Sequence, residues 1–136
     1  MSKEKKILIV DDNLDYAEAI KAIVESGPYC ADVASSSNQA VEKLDKEIPA
    51  LIILDVLLQK GAEGIVLSRK FKKDPKLKQV PIIMLTSMTK QTGFKFVSQD
   101  PRHPHFLPVE EFMEKPVAPK DLLAKIEKLL SAQETS

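Results

Sequence analysis

Acidic and hydroxyl side chains stand directly after the three most apolar runs of the chain. Asp11 and Asp12 follow the first run, Asp55 follows the second, and Thr86 and Ser87 follow the third. Gathered carboxylates repel one another unless a cation neutralises them, and Mg²⁺ prefers oxygen ligands. A carboxylate can also attack phosphorus and carry a phosphoryl group. These residue types therefore indicate a magnesium site at which phosphoryl chemistry takes place.

Phosphoryl transfer also needs positive charge and hydrogen-bond donors near the transferring group. Lys115 follows a fifth candidate strand, and its ammonium is of the right kind. The hydroxyl of Thr86 is a suitable donor as well. We therefore expect these two side chains to share a cleft with the carboxylates.

Five strands and the helices between them must position these side chains. The predicted strands are residues 7–10, 30–34, 51–54, 82–85 and 109–114. The first, third and fourth are continuously apolar, as strands covered on both faces are, whereas the second and fifth mix apolar with charged residues. We therefore predict three inner strands and two edge strands.

Caps and breakers delimit the predicted helices. Asn13 caps a helix that ends before residues 27–28, and Ser36 with Gln39 forms a capping box for a second helix that ends before Pro49. A third helix is predicted over 62–73 and a last one from Pro119. The first helix is expected to turn four residues inward: Leu14, Ala17, Ile20 and Val24.

Three prolines, at 101, 104 and 108, lie where a helix between the last two strands is expected, so that fourth helix should be irregular or shortened. Residues 131–136 are polar and predicted to fray, leaving a core of about 4–131. The pattern predicts one α/β domain over 1–136, a doubly wound, flavodoxin-like parallel sheet in the order 2-1-3-4-5. In such a sheet the carboxyl ends of strands one and three flank the switch point, where the acidic residues converge.

Composition restricts the class of protein. Twenty Lys plus Arg balance twenty Asp plus Glu, which argues against binding to nucleic acid or anionic membrane. The single cysteine cannot form an internal disulfide, and the longest apolar stretch, residues 50–54, is far shorter than the roughly 18 residues of a membrane helix. We therefore expect a cytoplasmic location, with no nucleic-acid or membrane partner.

Four short segments together resemble the signatures of response-regulator receiver domains of two-component signalling, which are CheY-like. They are residues 7–12 (ILIVDD), 51–55 (LIILD), 82–87 (IIMLTS) and 115–116 (KP). The resemblance implies that Asp55 is the phosphoacceptor and that Asp11 and Asp12 hold Mg²⁺. It also implies that the backbone carbonyl of Leu57 helps to hold the ion.

The same resemblance assigns the remaining site residues. Thr86 corresponds to the switch hydroxyl, and Ser87 corresponds to the small residue beside the phosphoryl group. Lys115 corresponds to the lysine that pairs with the phosphoryl group. Phe112 corresponds to an aromatic residue that turns inward as Thr86 moves. The expected donor is a sensor histidine kinase or a histidine phosphotransfer protein, and the downstream protein target is unknown.

The expected function is a stand-alone phosphorylation switch that acts through protein contacts. It would promote only its own phosphorylation and dephosphorylation, so we do not expect a classical enzyme. One alternative is a receiver-like interaction module that works without phosphorylation, because the loop after Asp55 departs from the family pattern. A haloacid-dehalogenase-type phosphatase is disfavoured because Asp11 and Asp12 are adjacent instead of separated by one residue.

The resemblance also carries a prediction about the lifetime of the phosphorylated state. Leu57 and Met88 occupy positions that in the family influence attack by water, and neither apolar side chain can orient a water molecule. We expect slow decay, and faster decay after Leu57→Asn or Met88→Glu. Following the loss of the phosphoryl group in the three chains tests this, and equal rates would contradict it.

Overall fold

The computed structural model describes residues 5–55, 63–86, 110–115 and 117–134. Its elements in chain order are β1 (Lys5–Val10), α1 (Leu14–Glu25), β2 (Tyr29–Ala34), α2 (Ser37–Lys46), β3 (Leu51–Asp55), α3 (Glu63–Lys73), β4 (Ile82–Thr86), β5 (Glu111–Glu114) and α4 (Pro119–Glu134). All neighbouring strands are parallel, and their order is β2-β1-β3-β4-β5. The predicted fold class is therefore confirmed. The irregular helix predicted between β4 and β5 lies outside the described residues.

Two apolar cores cover the two faces of the sheet. Successive residues of a strand point to opposite faces, and β1 and β3 follow this alternation strictly. Ile7, Ile9, Leu51 and Ile53 pack with α1 and α4 in what we call the α1–α4 core. Leu8, Val10, Ile52 and Leu54 pack with α2 and α3 in the α2–α3 core. Because all eight are at most 3% exposed, the inner strands are covered on both sides, as their apolar sequences predict.

The helix starts follow the predicted caps. The Asn13 side chain accepts a hydrogen bond from the Tyr16 amide at 3.1 Å, and the Ser36 hydroxyl accepts one from the Gln39 amide at 3.1 Å. Gln39 differs slightly from the predicted capping box, because its side-chain oxygen accepts from the backbone of Ser35. Side-chain acceptors here replace the intrahelical partners that first-turn amides lack.

One prediction about the ends of helices is wrong. Leu14 was expected to face the core, yet it is 55% exposed, because the first turn of α1 begins beyond the carboxyl end of β1, where the sheet no longer covers it. The structure continues α4 to Glu134, and the fraying expected from residue 131 stays a prediction. Leu130, 5% exposed, anchors the last turns, and no helix-breaking residue follows it before Glu134.

A polar clamp fixes the start of β5 against β4. The ammonium of Lys72, at the end of α3, donates to the Val80 carbonyl and to the Glu110 carboxylate, both at 2.9 Å. The other oxygen of Glu110 accepts from the Ile82 amide at 2.8 Å. Since the Lys72 side chain is only 11% exposed, these are partly desolvated, charge-assisted bonds. The clamp secures the strand that leads directly to Lys115.

No helix among the described residues is long and apolar enough to cross a membrane.

Candidate active site

Asp11 and Asp55 lie at the carboxyl ends of the two central strands. The Asp11 amide donates to the Ala34 carbonyl at 3.0 Å, which extends the ladder between β1 and β2 by one residue. Asp55 is the last residue of β3 and is aligned with Leu85 of β4. Both residues are buried, Asp11 at 1% and Asp55 at 7% exposure. The sheet backbone therefore holds both carboxylates at the edge where parallel strands end.

Asp12 completes a group of three carboxylates. One oxygen each from Asp11, Asp12 and Asp55 lies within 4.8 Å of the others, although Asp12 is exposed where the other two are buried. Oxygens of three carboxylates this close can share one hard divalent cation. The predicted gathering of the three carboxylates is thus present, and its donor chemistry fits Mg²⁺.

Lys115 supplies the positive charge opposite these carboxylates. Its ammonium is 3.2 Å from an oxygen of Asp11 and 3.6 Å from an oxygen of Asp55. The Lys115 side chain is 18% exposed, so the ion pairs are only partly screened by water. One ammonium against three carboxylates leaves negative charge in excess, and a divalent cation would balance it.

A short network fixes the loop between β1 and α1. The Asn13 amide donates to the Asp11 carboxylate at 2.9 Å, while the Asn13 side chain caps α1 through the Tyr16 amide. The carboxylate that faces Lys115 is therefore oriented by the residue that starts the helix. Buried side-chain nitrogen and oxygen atoms all have hydrogen-bond partners within the described part of the chain.

The other predicted site residues are described less fully. Thr86 ends β4 and is aligned with Glu114, so its backbone reaches the same edge of the sheet as Asp55. Phe112 is half-buried in β5 and packs against the α2–α3 core. Leu57 and Ser87 lie outside the described residues, as does Met88. The assigned roles of all five stay predictions.

Tyr16 was not anticipated from the sequence. The Lys115 ammonium lies 4.6 Å from the centre of its ring, and its hydroxyl accepts a hydrogen bond from the Val117 amide at 3.2 Å. The available signal was an aromatic residue three positions after a helix cap that itself follows the acidic pair. Such a signal is weak, because half-buried aromatic residues on helices are common in ordinary cores.

Comparisons with known proteins agree with this arrangement. A model of the response regulator receiver domain matches residues 7–127. The phosphate regulon transcriptional regulatory protein PhoB of Pseudomonas aeruginosa PAO1 is 32% identical over 126 residues, which are 93% of this chain and 52% of that protein. The chain spans about half the length of the curated relatives that it matches first.

Solved structures show the same fold. A CheY-like receiver domain protein from Methanospirillum hungatei JF-1 is 27% identical, with a TM-score of 0.78 and coverage of 98% of both chains. The receiver domain of a sensor histidine kinase from Pseudomonas aeruginosa PAO1, 21% identical with a TM-score of 0.79, covers 95% of this chain and 99% of its own. That protein has a magnesium ion coordinated in its active site cleft. The match over residues 7–127, together with this fold, shows that the chain belongs to the response regulator receiver domain family.

Proposed function

We propose that this chain takes a phosphoryl group onto Asp55 from a phosphohistidine, in a magnesium-dependent reaction, and thereby changes its contacts with other proteins. Receiver domains receive phosphoryl groups from sensor histidine kinases and are signalling domains, not classical enzymes. The supporting observation is the buried Asp55 carboxylate, which lies beside two further carboxylates and 3.6 Å from the Lys115 ammonium. We infer that residues 1–136 act as one domain, because both cores share a single sheet.

In the transfer step, a carboxylate oxygen of Asp55 forms a new bond to phosphorus. The bond from phosphorus to the donor histidine nitrogen breaks, and that nitrogen keeps the electron pair. Lys115 is already at the carboxylate and offers its ammonium to a phosphoryl oxygen as charge redistributes. Asp11, Asp12, Asp55 and the Leu57 carbonyl would hold Mg²⁺, which when bound neutralises charge on the carboxylates and the phosphoryl oxygens.

The resulting aspartyl phosphate places about −1.5 to −2 charges beside the acidic pair, where the Asp55 carboxylate carried a single negative charge. We propose that Thr86 and Ser87 donate to the phosphoryl oxygens and that Phe112 responds to the movement of Thr86. Such rearrangements change the relative populations of two conformations of the domain. The output partner is then a protein that binds the phosphorylated conformation more tightly.

Labelling with acetyl phosphate tests the proposal. The parent chain should gain one acid-stable, base-labile phosphoryl group when Mg²⁺ is present, and none when the ion is chelated. Asp55→Asn should gain none in either buffer, because the amide is not a competent nucleophile. Intact mass spectrometry, with and without mild base, measures both results.

The control variant is Asp45→Asn, which removes an exposed carboxylate on α2 outside the acidic cluster. It should be labelled like the parent. Full labelling of Asp55→Asn would contradict the assignment of the phosphoacceptor. A parent chain that is never labelled would favour the alternative module, which works without phosphorylation.

A further inference from the structure

Tyr16 connects the first turn of α1 to two residues that follow β5. Its ring lies under the Lys115 ammonium, and its hydroxyl accepts from the Val117 amide, two residues further along. The Tyr16 side chain is half-buried and packs against the α1–α4 core. One side chain therefore holds both the charged group and the backbone that carries it.

The position of the ring is itself fixed by the acidic loop. The Tyr16 amide donates to the Asn13 side chain, and the Asn13 amide donates to the Asp11 carboxylate. Any change in the backbone of this loop would move the ring and the carboxylate together. The Tyr16 ring and the Asp11 carboxylate are thus held in a fixed relation to each other, and both contact the Lys115 ammonium.

The Tyr16 ring attracts the Lys115 ammonium in a way that does not depend on whether Mg²⁺ is bound, unlike the carboxylates. Asp11 and Asp55 attract the ammonium at 3.2 and 3.6 Å, but both would also be ligands of Mg²⁺, so their charge is shared once the ion binds. The Asp55 carboxylate further loses its own charge when it becomes an acyl phosphate. The aromatic face is uncharged, cannot bind Mg²⁺ and attracts a cation through its quadrupole. Its attraction therefore persists through every stage of the reaction.

We propose that Tyr16 is a positioning residue that keeps the Lys115 ammonium over the reacting carboxylate after Mg²⁺ has bound. This inference rests on the proposed function. A partly desolvated cation over an aromatic ring corresponds to about a three- to tenfold effect on a rate or binding constant. The hydroxyl has a separate task, because its hydrogen bond from the Val117 amide holds the backbone at Val117 and not the ammonium.

Two variants separate the ring from the hydroxyl. Tyr16→Phe keeps the ring, so its rate of labelling by acetyl phosphate at saturating Mg²⁺ should stay within about twofold of the parent. Tyr16→Leu keeps apolar bulk without a ring, so that rate and the affinity for beryllofluoride, a phosphoryl mimic, should each fall about three- to tenfold. Affinity for Mg²⁺ alone should not fall in either variant, because the carboxylates are untouched.

Nuclear magnetic resonance supplies a readout that a merely structural role would not change. Protons above an aromatic face resonate upfield, so the ε-methylene protons of Lys115 should be shifted upfield in the parent and in Tyr16→Phe. The shift should disappear in Tyr16→Leu. Tyr29→Leu is the control, because Tyr29 is the other tyrosine of the chain and belongs to the same core but stands at the start of β2. It should leave the Lys115 signals in place.

The outcomes distinguish this inference from the proposed function. If the parent is labelled and Tyr16→Leu is labelled equally fast, the role of Tyr16 is refuted and the proposed function stands. Equal losses in Tyr16→Phe and Tyr16→Leu would also refute a role of the ring. If the parent is never labelled, the proposed function fails, and the inferred role of Tyr16 fails with it.

Discussion

Replacing Lys115 by methionine is expected to slow the labelling of Asp55 by acetyl phosphate about a hundredfold, the usual cost of removing one preorganised donor from a site of developing charge. The ammonium is the positive side chain that the structure shows against the acidic cluster, 3.6 Å from Asp55, and methionine keeps most of the bulk without the charge. Initial rates at saturating Mg²⁺ measure the effect. Beryllofluoride affinity should fall in parallel, because the mimic places the same charge beside the same lysine.

Lys125→Met is the matched control for this experiment. Lys125 lies on α4, outside the acidic cluster, and forms an ion pair at 3.3 Å with Glu111 of β5. Removing the Lys125 ammonium therefore also breaks a partly buried ion pair. That variant should be labelled within about twofold of the parent. Labelling of Lys115→Met at a rate close to that of the parent would show that the ammonium does not stabilise the transfer.

Replacing Asp12 by asparagine should weaken Mg²⁺ binding at least about tenfold. Mutating a residue that only hydrogen-bonds to a metal ligand commonly lowers the affinity for the metal about 10- to 100-fold, and Asp12 would itself be a ligand. The same substitution should not lower the stability of the chain without Mg²⁺. Asp12 is exposed and adds repulsion to two buried carboxylates, so without Mg²⁺ the variant should unfold at the same temperature as the parent or higher. Because the chain has no tryptophan, titration calorimetry measures the affinity and scanning calorimetry the stability.

The neighbouring variant Asp15→Asn controls for the general charge of this region. Asp15 is an exposed acidic residue in the first turn of α1 and is not part of the cluster. Its removal should leave Mg²⁺ affinity nearly unchanged. Equal affinities in the parent and Asp12→Asn would remove Asp12 from the set of ligands.

Strand order and the ends of the inner strands could be predicted from the sequence because both depend on strong, local signals. Residues 7–10, 51–54 and 82–85 have no polar side chain, so each run identifies a buried strand, and the polar residue after it identifies the carboxyl end of that strand. Parallel connection then brings those ends to one edge. The gathering of Asp11, Asp55 and Lys115 follows from topology, without knowledge of any side-chain contact.

Features that depend on how distant segments of the chain pack together could not be predicted in this way. The helical spacing of Leu14 favours a buried position, but its exposure depends on where β1 stops covering α1. The helical end at Glu134 depends on how firmly Leu130 is held against the core. Tyr16 meets Lys115 across 99 positions of sequence, and no periodicity relates residues so far apart.

The strict alternation of β1 and β3 between the two cores has a consequence for folding fidelity. A slip of β3 by a single position would bring Leu54 to the place of Asp55 and turn the carboxylate toward the opposite apolar layer. Chains mispaired in this way would retain a sheet and helices and yet accept no phosphate. The fraction of a purified sample that can be phosphorylated would then measure how many molecules have β3 in the correct register. Circular dichroism could not measure this fraction, because both registers contain the same sheet and helices.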